Sequence, residues 1–82
     1  MCLGIPAKII AITDLANSLA LAETAGVQRQ VSVAMLTLKG KTIESLVGKW
    51  VLLHVGFAMA LIDQEEADRA LDLLAKMVPD SQ

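Results

Sequence analysis

The chain has 82 residues, 55% of them hydrophobic, and a formal net charge of −2. That length makes a single domain, residues 1–82, whose stability rests on one small core. The acidic balance and only two aromatics, Trp50 and Phe57, argue against a basic nucleic-acid face or a platform for stacked bases.

The opening reads Met1-Cys2-Leu3-Gly4-Ile5-Pro6, and Cys2 is the only cysteine. A small second residue generally permits removal of Met1, which would set the thiol beside a free ammonium that favours the thiolate. Two readings stand: a small core hydrophobe, or a nucleophile or metal ligand at a chain end. One cysteine excludes an internal disulfide. One Cys and one His fall short of the roughly four ligands of a structural zinc site.

Strand 1 is expected over residues 5–12, with Pro6 near its start, where no ladder donor is needed. Asp14 and Asn17 mark a turn over 13–17, and strand 2 follows over 18–24. Ala25-Gly26 reads as a hairpin turn. Val27, Val31 and Val33 share one parity of strand 3. Arg29 shares that parity, either snorkelling at a barrel rim or serving a function. Residues 36–48 show no regular pattern, and Lys39-Gly40-Lys41 reads as an exposed loop tip.

Strand 4 is expected over 49–55 and strand 5 over 57–62, with a bend or bulge at Gly56. The apolar run from Trp50 to Ile62 has thirteen residues, short of the roughly twenty that span a bilayer. Short strands with no helix before the end suggest a small barrel or sandwich. The last segment changes period. Asp63 and Glu66 form a variant capping box. Ala67, Ala70, Leu71, Leu74 and Met77 then recur at helical spacing, so a helix is expected over 64–77 with its apolar stripe on the barrel. Pro79 stops it.

His54 is the only histidine. It shares strand parity with Trp50 and Leu52, opposite Val51, Leu53 and Val55. It is either a structural imidazole satisfied by a backbone partner, or a metal ligand or proton acceptor for a nearby thiol, since free imidazole titrates near neutrality. Phe57 and Met59 read as core residues or as part of a partner surface, where methionine adapts to varied contacts.

The opening MCLGIPAKI and the central GKWVLLHVGFAMALID resemble the HypC/HupF family of NiFe-hydrogenase maturation chaperones. The likeness runs the length of the chain and includes AGVQRQV and EEADRALDLL. It implies a mainly β protein: a small OB-fold-like β-barrel, about residues 5–62, with one C-terminal helix. It implies a non-enzymatic partner of the iron–sulfur scaffold protein HypD and of the precursor of the hydrogenase large subunit. The Fe(CN)2CO fragment would be carried transiently, with no permanent cofactor, no nucleic acid and no membrane. The family's amino-terminal cysteine maps onto Cys2, as docking residue and iron ligand. A low-spin ferrous centre suits a soft thiolate.

His54 lies in the matching HVGFAM motif, which strengthens its reading as a second, accessory ligand. Gly4 and Pro6 would shape the chain leaving Cys2, and Gly4, Pro6, His54, Phe57 and Met59 would join Cys2 in the partner-binding surface. Ala7-Lys8 departs from a frequent glycine-glutamine. Ala25 replaces a second cysteine found in some members, which leaves Cys2 the sole thiol. A lone thiol without a signal peptide is expected in the cytoplasm. The rival readings are an OB-type nucleic-acid binder and a small thiol enzyme in which His54 activates Cys2.

Overall fold

The computed structural model describes residues 4–77. Its elements run β1 (Ile5–Asp14), β2 (Leu19–Thr24), β3 (Val27–Ser32), α1 (Ala34–Leu38), a 3₁₀ turn (Ile43–Leu46), β4 (Trp50–His54), β5 (Phe57–Ile62) and α2 (Gln64–Met77). The strands close into a five-stranded barrel in the order β1-β2-β3-β5-β4. The barrel and the terminal helix agree with the OB-like fold expected above.

Closure depends on β1, which serves two partners. Ile5 to Lys8 pair antiparallel with β4, as Ile5↔Leu53 to Lys8↔Trp50. Lys8 to Asp14 pair with β2, as Lys8↔Glu23 to Asp14↔Leu19. Register shifts between Ile9 and Ala11 and between Ile12 and Asp14 add the bend that carries this long strand round the barrel. They also take β1 two residues beyond the expected end. The turn is correspondingly tight. Asp14 accepts hydrogen bonds from the Asn17 backbone N–H at 3.1 Å and from the Asn17 side-chain amide at 2.9 Å. These bonds hold the Asp14 carboxyl below its ordinary range.

The interior is aliphatic and narrow. Ala7, Ala20, Ala22 and Ala58 fill it together with Ile9, Val31, Val33, Leu46, Val51 and Leu53. A barrel of only five strands leaves little room across its axis, so alanine is the residue that fits between the larger side chains. Both aromatics lie outside this core. Phe57 is 49% exposed and Met59 is half-buried, so neither belongs to it.

Two helical pieces were not expected. α1 and the 3₁₀ turn occupy the segment that looks irregular in sequence. They insert Leu36, Ile43 and Leu46 into the core, and α1 packs against β5. Five residues are too few to show helical periodicity, and a helix that short is held by burial of its apolar side chains rather than by propensity. Gly40 does sit at an exposed tip, with φ of 96°.

α2 begins with a reciprocal capping box. Glu66 N–H donates to Asp63 Oδ1 at 2.8 Å, and Asp63 N–H donates to Glu66 Oε1 at 3.2 Å. The helix lies against β1 and β4. Ala67 is fully buried there, and Ala70, Leu71 and Leu74 are half-buried. The stripe therefore covers the outside of the barrel and does not enter its core. Pro79 and the Met77 side chain lie outside what is described.

Candidate functional site

The site is built where the start of β1 meets the end of β4. Alternation along β4 points Val51 and Leu53 inward and leaves Trp50, Leu52 and His54 on the outer face, half-buried. The pairing of Ile5 with Leu53 brings the residue before Ile5 alongside His54. A Cβ placed on Gly4 would stand 3.1 Å from His54 Nε2, 3.4 Å from His54 Cε1 and 3.2 Å from Leu52 Cδ2. The imidazole thus lies directly on the N-terminal backbone, and glycine is what lets it approach so closely.

Among the described residues, none hydrogen-bonds to the His54 ring. Cys2 lies outside the described residues, so the distance from its thiol to His54 does too. Covalent geometry still limits it: only Leu3 lies between Cys2 and Gly4, and two Cα steps span at most about 7 Å.

Pro6 is fully buried on the outer side of β1, opposite Leu52. Its carbonyl accepts a hydrogen bond from Thr24 Oγ1 at 3.0 Å. The Pro6 ring is thus packed among its neighbours at the start of β1. Beyond His54 the chain reverses through Val55-Gly56, with both residues at positive φ, 54° and 81°. This is a two-residue hairpin turn, His54↔Phe57, where a bend or bulge was expected. It carries Val55, 85% exposed, beside the half-exposed Phe57. Val55 did not stand out in the sequence. The available signal was a β-branched residue immediately before a turn glycine.

Gly4, His54, Val55 and Phe57 therefore cluster at one end of the barrel, while Met59 lies further along β5. Trp50 sits at the opposite end of β4, its indole N–H donating to Gln64 Oε1 at 3.0 Å. The two aromatics thus form no common stacking platform. Among the described residues no group of three or more His, Cys, Asp or Glu side chains is placed to hold a metal. Cys2 and His54 could together supply at most two protein ligands. No described helix is long and apolar enough to cross a membrane.

Known proteins with the same sequence pattern are found among hydrogenase maturation factors. The profile of the HupF/HypC family matches residues 1–74. The chain is 54% identical over 74 residues to hydrogenase maturation factor HypC of Rhodobacter capsulatus, covering 90% of this chain and 75% of that protein. It is 42% identical over 77 residues to hydrogenase maturation factor HybG of Escherichia coli K12, covering 94% and 92% respectively. It is 40% identical over 77 residues to Frd operon uncharacterized protein C of Proteus vulgaris, covering 94% and 78%. With the barrel, the terminal helix and the match across both the N-terminal and the HVGFAM segments, the chain belongs to the HupF/HypC family.

Proposed function

We propose that this protein is a cytoplasmic hydrogenase maturation chaperone, not an enzyme. It binds a HypD-like scaffold and then the precursor of the hydrogenase large subunit. Between them it delivers an Fe(CN)2CO group through the thiolate of Cys2. The observation that supports this most is the packing of Gly4 against His54 Nε2, within two residues of the only thiol. His54 is there to accept the thiol proton or to add a second bond to iron.

A carrier needs a bond that forms and exchanges readily. One soft thiolate on a chain end meets that need, whereas a closed protein cage would hold the iron. The exposed Val55 and Phe57 flank this end of the barrel and give a partner an apolar surface next to the thiol.

The test is co-purification with the scaffold protein, followed by infrared spectroscopy of the complex. CN and CO stretches are expected with the unaltered chain. They should be lost in Cys2→Ala, which should keep its circular dichroism but support no hydrogenase maturation. Normal hydrogenase activity in a strain carrying only Cys2→Ala would reject the proposal.

A further inference from the structure

β3 has an open edge. It pairs with β2 along its whole length, from Leu19↔Ser32 to Thr24↔Val27, but with β5 only at Ser32↔Phe57. The two-residue turn between Thr24 and Val27 makes those two a hydrogen-bonded pair, and bonding then alternates along the strand. Val27, Arg29 and Val31 turn their backbone groups toward β2. Gln28, Gln30 and Ser32 turn theirs away from it.

Ser32 shows this directly, since its N–H donates to the Gly56 carbonyl at 3.0 Å. The N–H and C=O groups of Gln28 and Gln30 face an edge with no described strand beside it. Val27 to Gln30 are all exposed. The β5 side of the same gap is covered. α1 packs against it, and Lys39 Nζ donates to the Met59 carbonyl at 3.1 Å.

We propose that this edge binds an extended, acidic segment of a partner protein as an added strand. Backbone bonds form at Gln28 and Gln30, and a guest carboxylate meets Arg29. The open stretch from Val27 to Val31 is about 16 Å long at 3.3 Å per residue, room for four or five guest residues. The turn at Gly56 closes one end.

Arg29 decides what the guest is. It is exposed, and no carboxylate is within ion-pair distance among the described residues, whose one ion pair is Lys76–Asp72. It also discriminates against a second copy of this chain. An antiparallel β3–β3 pair that used both outward residues would match Gln28 with Gln30 and set Arg29 directly against Arg29. Like charges so placed oppose pairing. The same charge favours an acidic guest.

The test titrates the full chain with two blocked heptapeptides, Thr-Val-Thr-Glu-Thr-Val-Thr and its lysine counterpart, with amide hydrogen exchange read by NMR. The glutamate peptide should slow exchange at the Gln28 and Gln30 amides and leave the Arg29 amide, already bonded to β2, unchanged. It should bind about fivefold more tightly than the lysine peptide, the upper size of one cross-strand charge preference. Arg29→Glu, checked for intact circular dichroism, should reverse that order. The proposal is overturned by equal affinity of the two peptides, or by no slowing at Gln28 and Gln30 at the highest peptide concentration. Slowing at these amides that depends on protein concentration without peptide would also overturn it, because a second copy would then hold the edge.

Discussion

His54 shows how a single position acquires a role from its surroundings. In sequence it is one imidazole in an apolar strand. In the barrel it is on the outer face, with Nε2 against Gly4 and no described hydrogen-bond partner. A residue on that face can be changed without opening a cavity in the core. His54→Gln should therefore lower stability by no more than about 1 kcal/mol. It should nevertheless reduce scaffold-bound CN and CO signals in proportion to lost maturation. Thermal unfolding and infrared spectroscopy on the same preparation check both halves. A large fall in melting temperature would mean that His54 is structural. The candidate pair Cys2 and His54 was legible because each is the sole residue of its type. That the imidazole lies on the chain leaving Cys2 was not, because the contact depends on the β1–β4 register.

At the scale of elements, the two hairpin turns and the helix cap are where local chemistry is clearest. Ala25-Gly26 and Val55-Gly56 both adopt positive φ at both central residues. Glycine does so freely, whereas a β-branched side chain is strained there. Val55→Asn should relieve about 1 kcal/mol of that strain. In a chain of this size the melting temperature should rise by about 4–8 °C, measured by circular dichroism. The α2 cap works in the opposite direction. Asp63→Ala removes the acceptor of the Glu66 N–H and breaks the reciprocal box. It should lower stability by about 1 kcal/mol, read in urea unfolding as a lower midpoint at unchanged slope. α2 was readable because fourteen residues span almost four turns of apolar periodicity. α1 was not, because five residues cover little more than one turn and Leu36 alone marks its buried side.

For the molecule as a whole, the governing fact is the narrow bore of a five-stranded barrel. Ala20 and Ala22 on β2 are almost fully buried beside Val31 and Ile9. Ala20→Leu should therefore destabilise by about 1–3 kcal/mol through overpacking. The check is a lower urea midpoint; unchanged stability would show spare volume that close packing does not allow. The sequence by itself determined the strand-rich class, the hairpin at Ala25-Gly26, the capped terminal helix and the singling out of Cys2 and His54 as the sole residues of their types. These follow from period, turn chemistry and composition, which are local. Only the tertiary structure decided that β1 bonds to both β2 and β4, that Pro6 is buried, and that the open edge of β3 faces outward beside the Gly56 turn. Such features depend on strand register and closure between residues far apart in the chain. No local preference encodes those pairings, and the shared burial of one small core selects them.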